Sequence, residues 1–182
     1  MVFKECNIKG LFVITPNVYK DDRGYFFESY NKKQFINNTG VNIDNFVQDN
    51  QSKSSKNVLR GLHFQNPPNA QAKLVRVLSG SVLDVVVDIR KNSPSYGKHY
   101  KIVLSSNNFK ILYIPEGFAH GFLTLEDNTV FSYKCSSYYN KESEDSILWN
   151  DATLNIDWEI NKPILSEKDE IAQKFCSFAS KF

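Results

Sequence analysis

Short runs of strand-forming residues, separated by turn residues, recur along most of this chain and limit the folds that it can adopt. The run 74–78 and the Val-rich run 82–89 are separated only by the turn sequence Ser-Gly-Ser at 79–81. A short turn between two such runs is typical of a β-hairpin. Since many short strands with turns between them are typical of two-layered β folds, the sequence predicts an all-β sandwich or jelly roll.

Only two segments favour helices. Asn31 is a suitable N-cap for a short helix that would end before Gly40. Ser166 is a suitable N-cap for a second helix, predicted to run toward Lys181, because acidic residues follow it and apolar residues recur at helical spacing. We therefore expect a barrel with a few short peripheral helices, as one domain spanning residues 1–182.

The balance of charge limits the classes of partner. Lys and Arg number 22 and Asp and Glu number 20, and the two signs are well mixed. Such a balance gives no basic surface for nucleic acid or for an anionic membrane. No apolar run approaches the roughly 20 residues that span a bilayer, and the first six residues lack a secretory apolar core. We expect a cytoplasmic protein without a nucleic-acid or membrane partner.

The segment Leu-Arg-Gly-Leu-His-Phe-Gln at 59–65 holds the first candidate for chemistry. A neutral imidazole such as that of His63 is well matched to accepting a proton at physiological pH. Arg60 lies in the same segment and Lys73 follows ten residues after the histidine. Two nearby cations suit the stabilisation of an enolate or a phosphate.

A second histidine, His120, follows a Pro-x-Gly turn at 115–117. This pattern is typical of a turn that directs a histidine into a cupin barrel. Cupin metal sites usually use a His-x-His motif with a following Glu, whereas here Gln65 stands in place of the second histidine. Because two histidines without a nearby carboxylate make a poor divalent site, the sequence predicts no metal. The three cysteines show no C-x-x-C spacing, which argues against a zinc site or a disulfide framework.

Polar and aromatic residues alternate along two further predicted strands. Gln48 and Asn50 share one face of a strand predicted over 45–52, and in a barrel such a face can line a polar cavity. Tyr133 and Tyr139 share a face of a later strand. A tyrosine held opposite a base is a suitable proton donor toward an enolate.

These motifs occur together in an order that resembles one family. They are Asp-x-Arg-Gly at 21–24, Phe-x-Glu at 26–28, Gln-x-Asn-x-Ser at 48–52, Leu-Arg-Gly-Leu-His at 59–63, Pro-x-Gly-x-x-His-Gly-Phe at 115–122 and Tyr-Lys-x-x-x-Tyr-Tyr at 133–139. Each motif is weak alone, but the ordered set is specific. The chain resembles the dTDP-4-dehydrorhamnose 3,5-epimerases, cupins of nucleotide-sugar biosynthesis, from about Lys9 to Asp169.

The resemblance implies a reaction and a mode of assembly. Such enzymes act on dTDP-4-dehydro-6-deoxy-D-glucose and invert C3 and C5, in the biosynthesis of dTDP-L-rhamnose for cell-envelope polysaccharide. Both carbons are α to the C4 ketone, so their protons are acidified by enolate formation. The resemblance implies no metal or organic cofactor, and a homodimer in which N-terminal strands are exchanged.

The resemblance also implies catalytic roles. His63 would be the base that removes the α-proton, and Asp169 would hold its imidazole in the correct tautomer. Asp84 is an alternative partner for the imidazole. Tyr133 would return a proton from the opposite face, and Lys73 would stabilise the C4 enolate oxygen.

Further residues would bind the substrate. The sugar and phosphate would contact Arg60 and His120. The nucleotide would contact Arg23, Glu28, Gln48, Asn50, Glu144 and Lys168, with Tyr139 stacked on the thymine. In the exchanged dimer Arg23 and Glu28 would serve the neighbouring subunit's site.

Other functions are compatible with parts of this pattern. One alternative is an enzyme that inverts only C3 of a related nucleotide-linked 4-keto sugar. A second is a non-catalytic nucleotide-sugar-binding cupin, which would be expected to lack at least one of His63, Lys73 and Tyr133, although all three are present. A third is a metal-dependent cupin oxygenase.

Overall fold

The computed structural model describes residues 1–41 and 46–182. In this part of the chain the strands, numbered in chain order, are β1 (Val2–Glu5), β2 (Phe12–Thr15), β3 (Tyr19–Asp21), β4 (Gly24–Phe26), β5 (Gln48–Ser54), β6 (Leu59–Gln65), β7 (Lys73–Ser79), β8 (Ser81–Asp88), β9 (His99–Ser105), β10 (Ile111–Ile114), β11 (Phe118–Thr124), β12 (Thr129–Cys135) and β13 (Glu144–Ser146). The helices are α1 (Lys32–Thr39), α2 (Glu167–Glu170) and a short 3-10 helix (Phe175–Ser177).

The strands form two antiparallel sheets that pack face to face. One sheet has the order β1-β2-β10-β7-β12-β5 and the other has the order β13-β6-β11-β8-β9. Val77 and Phe131 from the first sheet meet Val86 and Phe122 from the second in a shared apolar core. The chain is thus a cupin-type jelly roll, and the all-β fold predicted from the sequence is confirmed. Strands β3 and β4 form a separate two-stranded hairpin.

The turn at 79–81 does not close the hairpin that the sequence predicts. Strand β7 pairs with β10 and β12, whereas β8 pairs with β11 and β9. The chain crosses from one sheet to the other at Gly80, whose φ is 79° and whose added Cβ would lie 2.4 Å from the Thr129 side chain. The prediction is wrong because the crossing places β8 between β11 and β9 of the second sheet, where all eight residues of this Val-rich strand are buried.

The first predicted helix is confirmed. The Asn31 side chain accepts a hydrogen bond from the Gln34 N–H, and Gly40 ends the helix with a φ of 69°. The strand predicted over 45–52 is observed from Gln48 onward, and its first residue, Asn45, lies outside the described residues.

The second predicted helix is much shorter than expected. It covers only Glu167–Glu170, and the prediction that it continues toward Lys181 is wrong. Beyond this helix, Gln173 forms a parallel bridge with Ile147, which directly follows β13 of the second sheet. The Phe175 N–H donates to the buried carboxylate of Asp151 at 2.8 Å. These contacts draw the C-terminal segment along the sheet, where it buries aromatic rings in the core. No helix within 1–41 or 46–182 is long and apolar enough to cross a membrane.

Candidate active site

A cavity of about 180 Å³ lies between the two sheets. It is lined by Gln51, Ser52, Arg60, His63, Lys73, His120, Phe122, Phe131 and Tyr133. The cavity therefore brings together, from four different strands, the base, the lysine, the tyrosine and the sugar-binding pair proposed from the sequence.

Two glycines allow strands β6 and β11 to approach closely at this cavity. A Cβ on Gly61, whose φ is 141°, would lie 2.4 Å from the Cα of Gly121, a distance that no side chain can adopt. The two strands shift register next to this contact, and His63 lies directly opposite His120. The close approach at the two glycines thus lies beside the two facing histidines, both of which line the cavity.

Strands β5, β7 and β12 supply the other wall. In their register Tyr133 lies opposite Asn50 on one side and Val75 on the other, and Cys135 lies opposite Gln48 and Lys73. Since residues in register on neighbouring strands share a face, these polar side chains point toward the interior as the alternation predicts.

His63 is held by a buried carboxylate. Its Nε2 lies 2.5 Å from Oδ1 of Asp169, which is 2% exposed. The other oxygen accepts a hydrogen bond of 2.7 Å from Ser166, the N-cap of α2. Burial acts to raise the pKa of Asp169, but the hydrogen bonds from His63, Ser166 and the Gly61 backbone outweigh it and lower this pKa. Asp169 is therefore ionised at neutral pH and fixes the tautomer in which Nδ1 of His63 is free.

The alternative partner, Asp84, contacts the other histidine. Its Oδ2 lies 3.0 Å from Nε2 of His120, and both side chains are buried. The remaining oxygen, Oδ1, has no hydrogen-bond partner within the described part of the chain. The structure thus pairs Asp169 with His63 and Asp84 with His120.

Lys73 and Tyr133 have opposite pKa shifts with the same main cause. The Nζ of Lys73 lies 3.5 Å from the carbonyl oxygen of His63. Burial lowers the pKa of Lys73, although nearby negative charges act against this, and burial raises the pKa of Tyr133. A hydrogen bond with Asn50 acts against the increase at Tyr133. The phenol therefore remains protonated at neutral pH, as a proton donor requires.

A second polar cluster lies beside the cavity and contains most of the predicted nucleotide contacts. Gln48 donates to Asn50 at 2.9 Å and accepts a hydrogen bond of 2.8 Å from the N–H of Tyr139. The Tyr139 hydroxyl donates to Glu144 at 3.0 Å, and Lys168 forms an ion pair with the same carboxylate. Burial acts to raise the pKa of Glu144, but these two partners outweigh it and lower this pKa. Tyr139 remains 54% exposed and is therefore accessible to a ligand.

Two predicted nucleotide contacts lie away from this cavity. Arg23 lies in the hairpin of β3 and β4, where it pairs with Asp21 and its side chain is 90% exposed. Glu28 accepts hydrogen bonds from Asn31 and Gln34 at the start of α1. The structure of one chain therefore does not bring these two residues to the site around His63.

The sequence reasoning missed the apolar floor of the cavity. Phe122 and Phe131 stack with ring centroids 4.2 Å apart, and both line the cavity. Phe131 could have been found, because strand alternation places it on the same face as Tyr133. Gln51 also lines the cavity, but it alternates with Asn50 and no pattern in the sequence indicates it.

Within residues 1–41 and 46–182, no three His, Cys, Asp or Glu side chains converge in a way that could hold a metal ion. That the reaction needs no metal or organic cofactor stays a prediction from the sequence.

The geometry defines the class of protein. A histidine oriented by a carboxylate, a protonated tyrosine and a lysine lie in one cavity, an arrangement that suits removal and return of a proton at a carbon next to a carbonyl. A sequence profile of the dTDP-4-dehydrorhamnose 3,5-epimerases matches residues 5–177. The chain belongs to the dTDP-4-dehydrorhamnose 3,5-epimerase family and is an epimerase, which confirms the resemblance inferred from its motifs.

Relatives and solved structures agree over nearly the whole chain. A dTDP-4-dehydrorhamnose 3,5-epimerase of Shigella flexneri is 51% identical over 171 residues, which cover 94% of each chain. The crystal structure of the enzyme of that name from Elizabethkingia anophelis superposes with a TM-score of 0.92 at 52% identity, covering 97% of each chain. A dTDP-6-deoxy-D-glucose-3,5-epimerase from Legionella pneumophila, in complex with dTDP-4-keto-L-rhamnose, superposes with a TM-score of 0.93 at 44% identity, covering 98% of this chain and 94% of that one.

Proposed function

We propose that this chain inverts C3 and C5 of dTDP-4-dehydro-6-deoxy-D-glucose. The observation that carries the proposal is the contact of His63 with the buried Asp169 in a cavity that also contains Lys73 and Tyr133. The Legionella relative, solved with a dTDP-linked 4-keto sugar, supports the substrate class.

In the first half of the reaction, a base removes the proton from a carbon next to the ketone. The free Nδ1 of His63 accepts this proton, and Asp169 stabilises the imidazolium that forms. The electron pair of the C–H bond moves into the enolate, whose negative charge is carried mainly by the C4 oxygen. The Lys73 ammonium stabilises that oxygen, an effect worth roughly 3–4 kcal/mol at a preorganised site.

In the second half, the carbon regains a proton from the other side. Tyr133 donates its hydroxyl proton to the opposite face of the enolate, so that the configuration is inverted. The high pKa of this phenol makes the phenolate a strong base, which regains a proton from solvent while His63 loses one. No proton is gained or lost overall, and the same residues then act on the second carbon.

The second polar cluster binds the nucleotide in this proposal. Tyr139 stacks on the thymine, while Gln48, Asn50, Glu144 and Lys168 supply polar contacts around it. Arg60 and His120 contact the sugar and the phosphates from within the cavity. A guanidinium such as that of Arg60 suits a pyrophosphate because it can donate to two oxygens at once.

We further propose a homodimer in which Arg23 and Glu28 serve the second subunit's site. The support is the location of both residues outside the cavity of their own chain, and the exposed aromatic side chains of the hairpin that contains Arg23, namely Tyr19, Tyr25 and Phe26. One epimerase domain over residues 1–182, a cytoplasmic location, and the lack of nucleic-acid and membrane partners remain predictions from the sequence.

The proposal is tested by separating turnover from binding. We expect His63→Ala to lower turnover by about 10²–10⁴-fold, the usual contribution of a general base, while dTDP still binds. His99→Ala is the matched control, since His99 is a half-buried histidine of β9 that does not line the cavity. Turnover by His63→Ala within about tenfold of the unmodified protein would contradict the proposal. An unmodified protein that binds dTDP but never turns over would indicate a binding module.

A further inference from the structure

Gln65 holds three backbone groups next to the second polar cluster, although it does not line the cavity. Its side-chain Nε2 donates to the carbonyl oxygens of Asn69, at 2.6 Å, and Tyr138, at 3.2 Å. Its Oε1 accepts a hydrogen bond of 2.7 Å from the N–H of Asn140. The side chain is 4% exposed, so both amide donors and the amide oxygen are used in a site nearly closed to water.

These contacts lie on both sides of Tyr139. The residue before it is held through its carbonyl oxygen and the residue after it through its N–H, both by Gln65. The N–H of Tyr139 itself donates to Gln48. Two glutamine side chains thus fix three consecutive residues that lie outside the regular strands.

The same residue also lies next to the carboxylate of the cluster. Gln65 is the register partner of Glu144 in the pairing of β6 with β13. Glu144 in turn contacts both the hydroxyl of Tyr139 and the ammonium of Lys168. The Glu144 N–H also donates to the carbonyl oxygen of Asn140 at 3.1 Å, so the ring and the carboxylate are both joined to the segment that Gln65 holds.

We propose that Gln65 is a positioning residue, which holds the segment 138–140 so that Tyr139 and Glu144 are prearranged for the nucleotide. This inference rests on the nucleotide-binding role proposed above for these two residues. When the binding residues are already in their bound positions, the ligand binds without the free-energy cost of ordering them, so its affinity is higher.

The chemistry of the amide explains why another buried side chain would not serve. An apolar replacement leaves two carbonyl oxygens and one N–H without partners in a site that excludes water. The segment 138–140 is the part of this contact nearest to solvent, so it relieves the cost by moving outward to bond water. Nucleotide binding must then restore its position, while the residues around His63 remain in place.

The inference predicts a loss in binding rather than in chemistry. We expect Gln65→Met, which keeps the length of the side chain, to raise KM and the Kd for dTDP about tenfold, with kcat changed by less than about threefold. Gln71→Met is the matched control. Gln71 also links these loops, but through one hydrogen bond of 2.7 Å to the Ser137 carbonyl, and we expect its Kd to change by less than about twofold.

The experiment measures dTDP binding by calorimetry, and kcat and KM by proton NMR, for both variants and for Tyr139→Ala. If Tyr139→Ala weakens binding but Gln65→Met binds as the unmodified protein does, the inference is wrong and the proposed function stands. A fall in kcat with an unchanged KM would also overturn it, because Gln65 would then act on the chemistry. Failure of the unmodified protein to bind dTDP would count against the proposed function itself.

A second measurement needs no substitution and covers the case in which Gln65→Met does not fold. In the unmodified protein without nucleotide, the amide hydrogens of Tyr139 and Asn140 should exchange slowly with solvent, because both are bonded to glutamine side chains. Fast exchange that becomes slow only on addition of dTDP would show that the segment is ordered by the ligand and would overturn the inference.

Discussion

Replacing Asp169 by asparagine preserves the shape of the side chain but removes its charge. Three donors converge on this carboxylate, from His63, Ser166 and the Gly61 backbone. An amide has one oxygen and one NH₂ group, so it cannot accept from all three. If the NH₂ group faces His63, Nε2 of the imidazole must accept its hydrogen bond. Nδ1 then carries the ring proton and can no longer act as the base.

The magnitude follows from the hydrogen bond that is weakened. A hydrogen bond to a charged group contributes about 1.5–3 kcal/mol, and this bond is strongest when the imidazolium forms. At 1.36 kcal/mol per factor of ten, the expected fall in kcat is about 10- to 150-fold. The Kd for dTDP should change little, because the Asp169 carboxylate bonds His63 and Ser166 and is not part of the second polar cluster.

The loss of charge also affects stability with a defined pH dependence. Because the folded state lowers the pKa of Asp169, its carboxylate stabilises the fold above the unfolded pKa, and this contribution is lost as the pH falls through the folded value. The free energy of unfolding of the unmodified protein should therefore fall on acidification below about pH 4, and less so in Asp169→Asn.

Asp151→Asn is the matched control for these effects. Asp151 is 4% exposed and accepts three backbone hydrogen bonds, from Thr153, Leu154 and Phe175. Its loss should lower stability while kcat stays within about threefold. The reasoning is refuted if Asp169→Asn keeps its kcat within about twofold, or if both variants lose kcat equally.

Three further substitutions test other parts of the site. Lys73→Met should lower kcat by about 10²–10³-fold, as measured by NMR turnover. In the unmodified protein kcat should fall as the pH rises through the lowered pKa of Lys73, before the raised pKa of Tyr133 is reached. An alkaline fall in kcat at the same pH in Lys73→Met would contradict this assignment. Tyr133→Phe should still exchange the substrate's α-proton with D₂O through His63 but without inversion, and normal inversion would exclude Tyr133 as the donor. Gly61→Ala should lower the free energy of unfolding by more than about 3 kcal/mol in a denaturant titration, because the alanine Cβ would clash with the backbone of Gly121. A loss below about 1 kcal/mol would contradict this, since it would show that β6 and β11 can move apart at this contact.

The sequence predicts best what depends on local alternation. The common face of Gln48 and Asn50 follows from the two-residue period of a strand, and the observed register, in which these residues lie opposite Cys135 and Tyr133, confirms it. The cap at Asn31 likewise depends only on nearby residues.

The features that the sequence left open or predicted wrongly depend on residues far apart in the chain. The resemblance names Asp169 as the partner of His63 but leaves Asp84 open, and because His63 and Asp169 are separated by 106 positions, only the fold decides between the two carboxylates. The turn at Gly80 has the local pattern of a hairpin, but the alternative partners of its two strands decide otherwise. The predicted C-terminal helix fails for the same reason, because the sheet and the carboxylate of Asp151 bind the chain that follows α2.

Proton NMR in D₂O of the purified protein with dTDP-4-dehydro-6-deoxy-D-glucose tests the central claim most directly. The number of deuterons incorporated at C3 and C5 reports which α-protons the His63 site removes. The account predicts incorporation at both carbons, with inverted configuration at each. Incorporation at C3 alone would limit the enzyme to one inversion, and incorporation at neither carbon would contradict the account.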